Sequence, residues 1–375
     1  MESYQDSLDA LNRNLPLRDK LVQTHRVVQK QLPFVARIAV ALYDPKTNLL
    51  KTYLHSSGDD DPLSRYQTSL SEAPSLASIL KEGRPRVINN MLTFESGRRE
   101  HTLRIGRQGY AASYTLPMFS NGVFVGFVFF NSYEKDRFTE AALNQLDVFG
   151  HLVALMVINE LSTVRTLVAA VTTTSHFTHV RDAETGSHID RMSRYSRLIA
   201  RELAPRHNLD DDYIEHVFMY SPLHDIGKMA IPDRILFKAG PLDAGEGEVM
   251  RTHARKGREI IDAVLSNFGL DALQHVNILR NIAEHHHETM NGKGYPAGLK
   301  GSDIPLEARI VAVADVFDAL TSRRPYKDAW TNDEAFAMLG RLAGESLDAE
   351  CVDALVRGRK EVERIQKEFA EDRVG

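Results

Sequence analysis

The side chains best suited to chemistry crowd into one stretch of the chain. Imidazoles and carboxylates recur there together: Glu184 and His188, the doublet His224-Asp225, His253, the triplet His285-His286-His287, and Asp315. Glu184 and His188 are spaced by one helical turn, so on a helix they share a face and can address one metal cluster. His224 and Asp225 are adjacent within a helix expected over 213–228, where neighbours project about 100° apart. The pair can therefore approach an ion from two directions, leaving the second carboxylate oxygen to bridge to another ion. Asp315 falls in the apolar run 310–318, where an ionised carboxylate is costly unless paired or metal-bound. Imidazole and carboxylate together suit iron, manganese or zinc and argue against calcium, and the lack of thiolates argues against a structural zinc site. Any one of these histidines alone reads as an ordinary surface or core residue. The set calls for one explanation.

The elements that must position them belong to a chain of 375 residues, long enough for two domains rather than one core. Its 43% hydrophobic and 26% charged residues are the balance of a globular protein. A net charge of −5 excludes the broad basic surface that a nucleic-acid polymer requires. The lone cysteine, Cys351, has no partner for an internal disulfide, and Glu350 and Asp353 disfavour its thiolate. A structural thiol in a reducing, cytoplasmic setting is expected. The N-terminus lacks the basic patch and apolar core of a signal peptide. Apolar runs such as 123–130 are short of a membrane span and read as strands.

The polar first 25 or so residues suit an amphipathic helix. Residues 35–43 and 49–54 flank the turn signal Asp44-Pro45-Lys46-Thr47-Asn48 and form a hairpin. A helix is expected over 75–81, ended by Gly83, then a short strand over 86–88. A second hairpin joins 111–118 to 123–130 through Asn121-Gly122. Strands with inserted helices and a closing helix imply an α+β domain on an antiparallel sheet. From Thr139 the pattern turns helical, with Leu146, Phe149, Val153, Met156, Leu161, Val164, Leu167, Val168 and Val171 at three- and four-residue steps. This stripe is either a homodimer seam or packing against the chain's own two domains. The charged end, 361–375, reads as a solvated, fraying helix end.

Residues 1–155 resemble a GAF domain, on the run 113–118, Gly122 and the Val125-Gly126-Phe127 strand. The resemblance carries no motif of a nucleotide- or tetrapyrrole-binding member, and without a cysteine a thioether-linked bilin is excluded. A sensory or dimerisation module with an unknown ligand, or none, is expected. A connecting helix over 139–180 overlaps both domains.

The second half, 165–375, resembles the HD-GYP subgroup of the HD phosphohydrolases. The residues that carry this are Thr185-Gly186-Ser187-His188, the run 223–228 with Ile231-Pro232-Asp233, the run 236–242, and Thr252-His253. They continue with 286–296, which ends in Gly294-Tyr295-Pro296, then 312–322, and Arg324-Pro325-Tyr326-Lys327. The resemblance implies an all-helical domain that hydrolyses cyclic di-GMP to the linear dinucleotide pGpG and/or GMP with two or three divalent ions, iron or manganese. By the same resemblance His188, His224, Asp225 and Asp315 hold one ion. Asp225, the central catalytic residue, bridges to a second ion held by His253, His286 and His287. Glu184 matches the ligand of a third ion. Counting back from Gly294-Tyr295-Pro296 puts the family's pair on His286 and His287, with His285 extra. Lys228 would contact a substrate phosphate and serve catalysis, Gly294, Tyr295 and Pro296 would meet the base or phosphates, and Arg324 and Lys327 the second phosphate. Asn291 stands where the family often has aspartate. A catalytically silent receptor and an enzyme for hybrid cyclic GMP-AMP are the alternatives; the completeness of the ligand set disfavours the first.

Overall fold

The computed structural model describes residues 6–57, 63, 65–91, 109–178 (backbone only from 170), 186–270, 275–322 and 328–370. It divides into two compact units, Met1–Thr163 and Val164–Gly375.

The first unit is built on a six-stranded antiparallel sheet in the order β3-β2-β1-β6-β5-β4. The strands are β1 (Arg37–Asp44), β2 (Leu49–Ser56), β3 (Gln67–Ser69), β4 (Arg86–Ile88), β5 (Ala112–Ser120) and β6 (Val123–Ser132). Both hairpins expected from the turn signals form, β1 with β2 and β5 with β6. The short edge strand β3 carries no apolar alternation and had no signal to announce it. Helix α1 (Leu17–Gln31) starts later than the polar N-terminus suggested. Pro16, whose fixed φ suits a helix start, precedes it, and Leu17, Leu21, Val27 and Val28 make its buried face. Helix α2 (Pro74–Glu82) stops at Gly83.

Helix α3 (Glu140–Thr178) crosses the boundary between the units. Its apolar stripe serves two cores in turn: Leu146, Val153 and Leu161 are buried in the first unit, whereas Val164 and Leu167 join the core of the second. Residues Glu140–Ala169 are long and apolar enough, by length and composition, to cross a membrane. The stripe residues named here are nonetheless buried within the protein. Val171 lies outside the described side chains.

The second unit is helical among its described residues: α4 (Gly186–His207), α5 (Asp211–Tyr220), α6 (Asp233–Leu236), α7 (Ala244–Arg251), α8 (His253–Phe268), α9 (Val276–His285), α10 (Leu306–Thr321), α11 (Asn332–Leu342), α12 (Ala349–Arg357) and α13 (Arg359–Glu368). Tyr195, Leu198, Ile282, Val311 and Phe317 lie fully inside. Cys351 is also fully buried, and burial pushes its thiol pKa up, which keeps it neutral. One expectation needs correction. His224 and Asp225 are not in a continuous helix over 213–228. Helix α5 ends at Tyr220, and the doublet sits between two short 3-10 turns, Ser221–Leu223 and Ile226–Ala230. Pro222 is the physical reason: it has no N–H for the helical ladder, and its ring clashes with the preceding turn.

Candidate metal centre

The loop placement of His224-Asp225 brings the scattered imidazoles together. Gly227 lets the turn Ile226–Ala230 lie against α8. A Cβ there would stand 1.8 Å from the His253 carbonyl oxygen and 2.5 Å from the Gly257 nitrogen, so no larger residue fits. This backbone contact sets His253, the first residue of α8, beside Asp225. His286 and His287 follow the end of α9, His188 lies in the first turn of α4, and Asp315 is inside α10.

Two groups of donor atoms result, each within 4.8 Å of one another: Asp225, His253, His286 and His287, and His188, His224 and Asp315. Asp225 stands between them. Its Oδ1 lies 3.2 Å from His253 Nε2 and 3.6 Å from His286 Nε2, while its Oδ2 lies 3.3 Å from His224 Nε2. His224 Nε2 is 3.9 Å from Asp315 Oδ1. His285 stays out of both groups, with Nδ1 3.9 Å from Glu288 and Nε2 3.7 Å from Glu284.

The rings are fixed from behind. The Nδ1 atoms of His224, His253 and His286 lie 3.0, 2.8 and 2.9 Å from the carbonyl oxygens of Ser221, Met250 and Ile282. Nδ1–H donation to those carbonyls leaves each Nε2 lone pair facing Asp225, the arrangement that metal-ligating histidines adopt. His188 is held differently: its Nδ1 is 2.7 Å from Oδ2 of the fully buried Asp318. Arg191 grips the same carboxylate through Nε at 2.7 Å and Nη2 at 3.0 Å.

The electrostatics fit cations. Asp225 Oδ1 is buried and accepts no hydrogen bond among the described residues. Burial alone would raise the Asp225 pKa, but Lys228, with Nζ 2.8 Å from Oδ2, and the neighbouring imidazoles hold it well below the usual range. Burial pushes the His286 pKa down and brings that of His287 to about 2. Neutral His286 and His287 beside an ionised Asp225 are the protonation states that ligation requires. The donor set fits a pair of divalent ions.

The Gly294-Tyr295-Pro296 loop closes over one side. A Cβ on Gly294 would stand 2.4 Å from the Thr289 nitrogen and 2.6 Å from the His287 carbonyl oxygen, so the loop folds tightly onto the segment after α9. The Tyr295 ring lies 4.8 Å from that of His287 and 6.2 Å from that of His253, with the Arg251 guanidinium 5.6 Å from its face. Burial and the Asp225 charge push the Tyr295 pKa up to about 12, which leaves its hydroxyl a donor. The buried Glu288 organises the loop by accepting the N–H groups of Ala297 at 2.7 Å, Gly298 at 3.1 Å and Leu299 at 2.9 Å.

Glu184, Arg324 and Lys327 lie outside the described residues. Sequence reasoning gave no role to Asp318, Arg191 or Glu288. Asp318 was open to inference, since it follows Asp315 by one turn on the same helix. Also unforeseen is a third donor group, Asp212, His216 and His275. Burial raises the Asp212 pKa, but the neighbouring His216 and His275 imidazoles outweigh it and bring it well below the usual range. Asp212 Oδ2 and His275 Nε2 are 2.8 Å apart, the contact of a histidine–carboxylate pair.

Residues 183–351 match an HD domain and residues 18–157 a GAF domain. The chain is 46% identical over 190 residues, 51% of its length and 47% of the relative's, to the cyclic di-GMP phosphodiesterase response regulator RpfG of Xanthomonas campestris pv. campestris. It is 40% identical to a cyclic di-GMP phosphodiesterase of Thermotoga maritima, over 50% of this chain and 48% of that protein. It is 39% identical to the 3'3'-cGAMP-specific phosphodiesterase 2 of Vibrio cholerae, over 47% of this chain and 32% of that protein. The chain thus spans less than half the length of each of these curated relatives.

Proposed function

We propose that this chain, in which an HD domain follows a GAF domain, is a metal-dependent phosphodiesterase that hydrolyses cyclic di-GMP to pGpG and/or GMP. One observation carries the reading: a single carboxylate, Asp225, turns one oxygen to each of two imidazole groups. That is the geometry of a ligand shared by two ions. When bound, the ions supply charge neutralisation at the scissile phosphate and activation of a water. Iron or manganese suits the mixed imidazole and carboxylate donors.

The protein's own part is to hold and orient. His188, His224 and Asp315 form one half of the centre, His253, His286 and His287 the other, and Asp225 fixes their separation. Lys228 places its ammonium at the edge of the carboxylate, in position to meet a phosphate oxygen. Tyr295 offers a protonated hydroxyl and a ring face beside the second half. In the overall reaction water adds across one phosphodiester bond: the P–O3' bond breaks, a new P–O bond forms, and the departing 3'-oxygen leaves as a hydroxyl.

Two relatives named for cyclic di-GMP match at 46% and 40%, which supports that substrate. The 39% match to a relative named for 3'3'-cGAMP makes the hybrid dinucleotide the second reading. Chromatographic assay of both substrates, with anaerobically purified, metal-replete protein, decides between them. Faster turnover of 3'3'-cGAMP would replace the first reading with the second, and no turnover of either would leave a receptor.

A further inference from the structure

The α+β unit contains a cavity of about 110 Å³ on its sheet, distinct in sequence from every residue of the metal centre. Leu50, Leu76, Ile88 and Phe129 give it apolar walls. Into these walls project three cations from three strands, Arg37 on β1, Lys51 on β2 and Arg86 on β4, and its described lining includes no carboxylate.

Arg37 is the telling residue, only 5% exposed. Its register partner on β6 is Asn131, which pairs in turn with Ser113 on β5. The side chains bond along the same row: Arg37 Nη1 donates to Asn131 Oδ1 at 3.2 Å, and Asn131 Nδ2 donates to Ser113 Oγ at 3.1 Å. Arg86 is steadied by donation from Nη1 to the Ser75 carbonyl oxygen at 2.6 Å. These bonds orient both guanidinium groups without neutralising either. Among the described residues the Nε of each is buried without a hydrogen-bond partner. Burial pushes both pKa values down, the sign of cations held away from water. A buried charge with no counter-charge is destabilising, and such a feature is offset when a ligand brings the opposite charge.

We propose that this cavity is a binding site for a small organic oxyanion, a carboxylate or phosphate head on a short apolar body, held by Arg37 and Arg86 with Lys51 as the third cation. The paired donors of a guanidinium suit either head group. The volume limits the body: a cavity of roughly 150 Å³ takes one benzene. A ligand of about that size is the expected occupant. The site stands independently of the hydrolytic reading.

Calorimetric titration of the full chain tests it, with isobutyrate and methyl phosphate as probes and isobutyramide as the neutral isostere of the first. At least one anion is expected to bind at millimolar concentration or below, and isobutyrate at least about tenfold tighter than isobutyramide if the head is a carboxylate. Arg37→Met and Arg86→Met are each expected to weaken the anion by about tenfold or more, the loss for one charge-assisted hydrogen bond. Without ligand, both variants should still melt cooperatively, a few degrees lower at most for the hydrogen bond lost to Asn131 or to the Ser75 carbonyl. Whichever anion binds tighter identifies the head group. The proposal is overturned if neither anion binds, if isobutyramide matches isobutyrate when isobutyrate is the tighter anion, or if binding survives in both variants. Loss of the cooperative melt in both ligand-free variants would likewise overturn it by making the arginines structural.

Discussion

The two halves of the candidate metal centre are secured in different ways. Around His253 and His286 the supports are main-chain carbonyls, and a glycine contact presses one turn of backbone against another. Around His188 the support is a side-chain chain of charge, Asp318 held by Arg191. A carbonyl is fixed by the fold and changes little with mutation, whereas a carboxylate can be altered at one position. The first half is thus set by backbone packing, whereas the second combines a carbonyl behind His224 with the charged pair behind His188, and Asp225 is their shared member.

The largest effect should come from removing that shared member. Asp225→Ala is expected to lower metal content by two ions per chain, read by elemental analysis. It should lower turnover by about 10³-fold or more, the scale of lost metal-assisted charge stabilisation. If the variant keeps both ions, Asp225 does not join the halves. Gly227→Ala attacks only the backbone-set half, because the new methyl meets the His253 carbonyl oxygen. A stability loss of about 1–3 kcal/mol and a turnover loss of about 10²-fold from displacement of His253 are expected. Wild-type melting and rate in that variant would show that the contact yields.

How far the sequence discloses this difference depends on the kind of support. The candidate donors stood out because imidazoles and carboxylates crowd into one stretch, and the family resemblance divided them into two sets whose side chains the structure brings together. The sheet could be read from its turns, as at Asn121-Gly122, where apolar runs flank a hairpin signal. Carbonyl support has no side-chain signature, so the anchors of His253 and His286 were invisible. Pro222 carried the information that α5 must end before His224, yet the apolar pattern around it favoured a continuous helix. Glu288 lay inside the motif but its role depends on three N–H groups up to eleven residues away. Long-range pairing of that kind is a product of the loop's path.

The electrostatic half is tested by Asp318→Asn, which keeps an acceptor for His188 and removes the charge. Affinity for one ion should fall about 10- to 100-fold, as for other changes behind a metal-bound histidine. The other ion should be unaffected, giving two separated steps in a metal titration where the wild type is tighter. Equal weakening of both steps would mean that the two halves respond as one unit.

The smallest expected effect is at Glu288, and it asks whether the loop belongs with either half. The carboxylate collects three backbone N–H groups, two on Oε1 and one on Oε2. Glu288→Gln preserves shape and one acceptor oxygen, so the bonds from Ala297 and Gly298 can persist while that from Leu299 meets an amide NH2. The loss is one charge-assisted bond and weakening of the others, about 1.5–3 kcal/mol of loop stability. Tyr295 rides on this loop, whereas His286 is held by the Ile282 carbonyl and does not depend on it. KM for cyclic di-GMP should therefore rise by up to about tenfold, with kcat within a few-fold of wild type, the pattern of lost uniform binding. Metal content should be unchanged. Loss of an ion in this variant would show instead that Glu288 supports the adjacent His287, and would move the loop from substrate contact into the backbone-set half of the centre.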